Sequence, residues 1–186
     1  NAEGKRFCND MSTRDAVSQA ELQQTGAYAY IIFDQRIVDD LASCQKYIKS
    51  GITVTADTYE GLAAEMGLEG DAAAAFVDSM AVWNEAVAAG EDAEFGRNNG
   101  MDADLATAPY YAIKIAPGIH HTMGGIKIDT DAQVIDTKGN VIPGLFAAGE
   151  TTGGVHGGNR IGGNAVCDFV VFGRIAGANA TAYAVK

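Results

Sequence analysis

Four side chains able to grip an anion stand beside runs of glycine in this sequence. They are His120 and His121 in HHTMGG, and His156 and Arg160 in GGVHGGNRIGG. An arginine fork meets a carboxylate through two parallel hydrogen bonds, and a neighbouring imidazole adds a further charge-assisted one. These residue types therefore suit an anionic group such as a carboxylate. Read alone, His120 has two equally open roles, a satisfied buried histidine or a ligand contact. The glycines carry as much meaning as the histidines. Eight fall in the twenty residues from Gly144 to Gly163, GLFAAGETTGGVHGGNRIGG, and so many missing side chains let a backbone press against a flat ligand.

Several elements must position these groups. NAEGKRF reads as a turn and a strand, and STRD supplies N-cap chemistry before a short helix, AVSQAELQQTG, closed by Gly26. AYAYIIFD reads as a buried strand. Residues 37 to about 105 read as helical: Asp57 and Glu60 resemble a capping box ahead of GLAAEMG, and Asp71 opens a longer helix. Its apolar stripe of Phe76, Met80, Trp83 and Val87 is read as core packing in preference to an aromatic box. From Ala108 onward come short strands: PYYAIKIAP, an alternating GGIKIDTDAQVI, a Lys138-Gly139-Asn140 turn and VIPGLFAAGE. AVCDFVVFGRIAGANATAYAV then reads as a well-buried helix. Strand, glycine loop and helix in that order point amide N–H groups and a positive helix end, near Gly163, Asn164 and Ala165, at an anionic or electron-rich ligand. Glu150, read at the end of an apolar strand, is placed like a carboxylate that accepts from ribose or ribitol hydroxyls.

Composition narrows the partners. Thirteen basic residues against twenty-four acidic ones give a net charge of −11, which disfavours a nucleic-acid partner. Any anionic ligand must be met by local positive charge. Cys8, Cys44 and Cys167 show no CxxC or Cys/His metal spacing, so neither a disulfide scaffold nor a metal site is expected. No apolar run reaches the roughly 18 residues of a membrane span. Neither GxxxxGK[ST] nor GxGxxG occurs. Arg36, Arg97 and Arg174 read as solvated or paired charges without a site role.

HHTMGG together with GLFAAGETTGGVHGGNRIGGNAVCDFVVFGRIAG strongly resembles the C-terminal end of the fumarate reductase and succinate dehydrogenase flavoprotein family. Soluble flavocytochrome c fumarate reductases and urocanate-reducing relatives look closest. NAEGKRFCNDMSTRDAVSQAELQQ is similar to the segment with that family's active-site arginine, and APYYAIKIAPGIHHTMGG to its return from clamp domain to flavin domain. The resemblance runs from near residue 1 to near the end. It implies an α+β fold: a partial clamp (capping) domain with helices and a small sheet over residues 1–121, then the C-terminal segment of an α/β FAD-binding domain over 122–186. The family's GxGxxG lies in an N-terminal flavin domain, so the chain is expected to be a C-terminal fragment or one piece of a cut polypeptide.

The resemblance also implies roles. His120 and Arg160 grip one substrate carboxylate, with Gly163 beside the substrate, and Arg14 donates the proton to the substrate carbon. Unaided, Arg14 reads as an ion-pair partner of Asp15 or a carboxylate clamp, and His120 as the acid, because arginine holds its proton so tightly. Glu150, His156, Asn164, Ala165 and Val166 face FAD, with His121 as packing or polar support. The implied activity is FAD-dependent reduction of an α,β-unsaturated acid of fumarate or urocanate type. Its partners are a small unsaturated carboxylic acid, an electron donor (haem domain, FMN domain or redox protein) and the N-terminal FAD domain. Alternatives are a flavin dehydrogenase of succinate or ketosteroid type, or a non-catalytic binding module lacking the main FAD half.

Overall fold

In the computed structural model, which describes residues 1–185, the chain is α+β and divides into two compact units, Asn1–Gly118 and Ile119–Lys186. The first is built on β1 (Ala29–Asp34), β2 (Thr53–Ala56) and β3 (Tyr110–Ile115), all antiparallel in the order β1-β3-β2. Strand β3 is central, and four successive residues of it, Tyr110 to Ile113, are buried. Side chains alternate between the faces of a strand, so this run feeds two cores at once. Tyr110 and Ala112 join Leu62, Ala63, Met66, Leu68, Phe76 and Met80, which come from α4 (Tyr59–Glu65), α5 (Gly70–Ala89) and the link between them. Tyr111 and Ile113 join Phe33, Val38 and Cys44 beneath α2 (Gln35–Asp40) and α3 (Ala42–Lys49), with Tyr111 stacked on Phe33 at 5.3 Å.

Asp34 ties this sheet to its neighbours. It is fully buried, its Oδ1 accepts from Ile37 N–H at the start of α2, and its Oδ2 accepts from Thr107 N–H just before β3. A carboxylate satisfied by two backbone donors is a cap and a clasp together.

Several local readings need correction. NAEGKRF forms a turn, with Gly4 N–H on the Asn1 carbonyl, and no strand. Helix α1 (Arg14–Leu22) ends four residues before Gly26, which lies at φ 77° inside a separate 3-10 turn. The cap of α4 is Thr58, whose hydroxyl accepts from Gly61 N–H, because the helix starts one residue later than the Asp57–Glu60 spacing implies. Strand β2 also interrupts the segment read as helical.

Trp83 is buried, as its place in the apolar stripe implies, yet its ring also carries cations. Arg6 lies 5.0 Å and Arg97 4.6 Å from its centre, and Arg6 stands 5.1 Å from the Phe95 ring. Asp92, its side chain only 2% exposed, accepts from Arg6 at 2.7 Å, while Asp10 bonds Arg6 at 3.1 Å and Arg97 at 2.6 Å. Arg97 is thus a fixed member of an ion-pair and cation–π cluster. Sequence spacing could not reveal it, since Arg6 and Asp92 are 86 residues apart.

In the second unit, β5 (Gln133–Ile135) and β6 (Val141–Phe146) form an antiparallel hairpin around the Lys138-Gly139-Asn140 turn. Asp136 holds that turn by accepting from the Lys138 and Asn140 amides. Strands β4 (Ile126–Lys127) and β7 (Thr152–Gly153) pair in parallel. Helix α6 (Asn164–Ala184) follows the glycine-rich loop. The expectation of a well-buried helix fails: among its described residues only Asp168 is buried, and Val166, Phe169, Val170 and Val171 stand about half exposed. An apolar helix becomes buried only where a partner surface covers it, and its contacts here are mainly with β6 and a short 3-10 turn at Gly149–Thr151. Among the described residues no helix is long and apolar enough to cross a membrane.

The Arg6 guanidinium beside Asp92 holds that carboxyl well below its ordinary 3.8, at about 2. A depressed carboxylate stabilises the folded state fully above its unfolded pKa and loses that contribution as pH falls through the folded one. The shift corresponds to about 2 kcal/mol. The stability gap between the unmodified chain and Asp92→Asn is therefore expected to shrink by about 2 kcal/mol between about pH 5 and pH 2 in urea unfolding. A gap independent of pH would show that the ion pair contributes nothing.

Candidate functional site

The candidate site in the second unit rests on a close approach of two backbones. A Cβ on Gly125 would lie 2.2 Å from the Thr151 carbonyl oxygen, and one on Gly153 would lie 2.8 Å from the Gly125 nitrogen. Only glycine allows the two-residue β4–β7 pair, in which Ile126 faces Thr152 and Lys127 faces Gly153. This contact brings HHTMGG beside ETTGG. Glu150 Oε1 then accepts from the Thr122 amide at 3.2 Å, and the Thr122 hydroxyl donates to the Glu150 carbonyl at 3.4 Å. Glu150 lies in the 3-10 turn, four residues beyond the end of β6, and is exposed. The sequence reading placed it on the strand itself.

A polar network joins HHTMGG, the loop and α6. The His121 ring, whose Nδ1 accepts from the Met123 amide at 3.3 Å, meets the His156 ring edge-to-face at 5.5 Å. His156 Nε2 lies 3.1 Å from Asp168 Oδ2, one turn into α6. Three buried polar atoms here lack a protein partner: His121 Nε2, Arg160 Nε and Asp168 Oδ1. Buried polar atoms are nearly always satisfied, so such a cluster marks where something else completes the bonding. Asp168 was not singled out in the sequence. Its signal was available, a lone acid among apolar residues in the first turns of a helix.

Arg160 is half-buried, and its Nη1 donates to the Ile161 carbonyl at 3.3 Å. Among the described residues it has no carboxylate partner. His120 is exposed. Gly163, at φ 89°, precedes α6, whose first turn (Asn164, Ala165, Val166) has neither a side-chain cap nor an acidic residue. The positive end of the helix is thereby left open. Gly154, Gly157 and Gly163 need their left-handed backbone, but Gly158 has no such φ and a Cβ there would meet nothing within 4 Å. Neither strain nor packing within the chain explains the missing side chain. Arg14 belongs to the first unit, where it is the exposed opening residue of α1. Among the described residues no group of three His, Cys, Asp or Glu side chains could hold a metal ion.

The model of the FAD binding domain matches residues 1–166. The chain belongs to that family. FAD is accordingly its cofactor, and the open glycine ledge, the uncapped helix and the orphaned polar atoms fit a flat, hydrogen-bonding group of that kind. Family relatives include a fumarate reductase (cytochrome) of Shewanella frigidimarina, 48% identical over 186 residues, covering 100% of this chain and 32% of the relative. A urocanate reductase of Eggerthella lenta is 38% identical over 188 residues, covering 99% and 31%. The solved open conformation of a flavocytochrome c3 fumarate reductase superposes with a TM-score of 0.85 at 46% identity, covering 100% and 32%. The chain thus spans about a third of the length of these relatives.

The glycines of this family member separate into positions the fold requires and positions it does not. Gly125→Ala is expected to destabilise the chain by about 2 kcal/mol through its backbone clash, whereas Gly158→Ala stays within about 0.5 kcal/mol of the unmodified chain. Denaturant unfolding measures both, and equal losses would refute the division.

Proposed function

We propose that this chain supplies the substrate grip and one flavin-facing wall of an FAD-dependent reductase acting on an α,β-unsaturated carboxylate of fumarate or urocanate type. One observation carries the reading. In a chain with a net charge of −11, Arg160 stands half-buried beside the glycine ledge with no carboxylate partner among the described residues. A guanidinium left unmatched amid such an acidic excess suits a carboxylate brought by the substrate. The relatives named as fumarate and urocanate reductases support that class of acid.

FAD, when bound, supplies the hydride from flavin N5. The chain's own residues do the rest. Arg160 and His120 hold one carboxylate of the substrate, with Gly163 beside it, and draw electron density away from the conjugated double bond. Their charge also stabilises the enolate-like character that develops at that carboxylate. Arg14 gives a proton to the α-carbon. Arginine is a reluctant acid, so this role needs a dry site and a proton supply, and it rests on the likeness of STRD to the family's arginine segment. Glu150 and His156 offer polar contacts to the cofactor, and the first turn of α6, Asn164 to Val166, directs its positive end toward it.

In this reading residues 1–121 are part of a clamp domain and 122–186 close the FAD-binding domain. The half-exposed Val166, Phe169, Val170 and Val171 would pack against the remainder of that domain. An electron donor, as a haem domain, an FMN domain or a redox protein, completes the system.

The test is made in the full-length polypeptide with a reduced dye as electron source and fumarate, urocanate and acrylate as acceptors. Arg14→Ala is expected to keep the yellow flavin yet lose turnover by about 10²-fold or more. Arg160→Ala is expected to act mainly by raising KM. Near-normal turnover in Arg14→Ala would remove it as the proton donor, and no turnover with any of the three acids would sink the reductase reading.

A further inference from the structure

Asp168 is the one buried residue of α6, its side chain 2% exposed, and it sits one turn beyond an open helix N-terminus. A carboxylate there is favoured by the positive end of the helix. Burial among apolar neighbours would otherwise select against it, so its presence needs a reason. The contact in place is with His156: Oδ2 lies 3.1 Å from Nε2, and the His156 side chain is itself 12% exposed.

An ionised carboxylate only accepts hydrogen bonds, so the hydrogen of the facing imidazole must sit on Nε2. In the neutral ring Nδ1 is then an acceptor, on the side of the ring away from Asp168. The ring plane is fixed a second time by His121, packed edge-to-face at 5.5 Å and itself pinned because its Nδ1 accepts from the Met123 amide. His156 stands between Val155 and Gly157, in a loop where the glycines at 154, 157 and 158 leave open space beside the backbone. A ring so constrained on a glycine-rich loop has its orientation set from α6, and not by the loop that carries it.

We propose that Asp168 is a positioning residue: it fixes the tautomer and plane of His156, so that His156 presents Nδ1 as an acceptor to a hydroxyl or imide N–H donor of the cofactor on the glycine ledge. With Asp168 ionised and His156 neutral the tautomer follows from the contact geometry, while its use rests on the reading of His156 as an FAD contact. A carboxamide at 168 can donate to Nε2 and so favours the opposite tautomer, with the hydrogen on Nδ1. The acceptor is then replaced by a donor facing the donor of the ligand.

Nitrogen NMR on the chain with isotope-labelled histidine reads this directly. The sequence holds only three histidines, so single His→Gln variants assign every ring. His156 is expected in the Nε2–H form in the unmodified chain and in Asp168→Glu, and in the Nδ1–H form in Asp168→Asn. In the full-length apoprotein, titration with FAD is expected to shift the His156 Nδ1 resonance, and Asp168→Asn to weaken FAD binding by about 10-fold, the scale on which residues that orient a metal-ligating histidine act. Purely structural anchoring would leave the tautomer of Asp168→Asn unchanged, and that result overturns the proposal. So does an Nδ1–H ring in the unmodified chain, which decides the matter even if Asp168→Asn does not fold. A tautomer that switches at 168 while His156 ignores FAD overturns instead the reading of His156 as a cofactor contact.

Discussion

The second unit depends on two backbones closing at Gly125 and Gly153, where neither carries a side chain. A pair only two residues long holds few backbone hydrogen bonds, so it persists only if the surrounding chain fixes it in place. Gly125 and Gly153 let the backbones close to a distance no other residue type permits. The Thr122–Glu150 bonds then lock the approach from one side. Everything that makes the site follows from this: HHTMGG is set against ETTGG, the His121 ring reaches His156, and the loop is delivered to the start of α6.

Three buried aspartates show how an acidic chain places negative charge inside. Asp34 is satisfied by backbone amides and works as a clasp between a helix and the approach to the central strand. Asp92 is satisfied chiefly by Arg6, and it links the start of the chain to a loop more than eighty residues away. Asp168 has one oxygen on an imidazole and the other without a protein partner. The first two are closed accounts of hydrogen bonding within the fold. The third is open, and of the three it alone lies in the polar network beside the glycine-rich loop.

Much of this was legible in the sequence, for reasons that differ by element. The central strand announced itself as PYYAIKIAP because it is buried on both faces, and the hairpin at Lys138-Gly139-Asn140 because its turn residues are specific. Family membership was readable because several motifs recur in order, and the mixed α+β architecture came with it. Helix α6 was misread as buried, since hydrophobic composition records what a segment can bury and not whether the covering surface is present. The Arg6–Trp83–Arg97 stack was invisible because its members are far apart in sequence, and the Trp83 stripe gave no hint that cations would share the ring. Asp168 stands out in sequence only as a lone acid in an apolar helix, and its pairing with His156, twelve residues earlier, shows only in the fold.

That stack gives the chain an optical property. Its single tryptophan lies in the first unit, with two guanidinium groups within about 5 Å of the indole ring. Indole emission is sensitive to nearby charge and to solvent, so loss of the stack on unfolding must change both its intensity and its colour. The second unit has no tryptophan, and its side of the molecule is dark in this channel. Fluorescence excited at the indole band therefore observes one unit of the protein by itself. Comparison with far-ultraviolet circular dichroism, to which α6 contributes heavily, can reveal whether the two units melt as one body or in sequence.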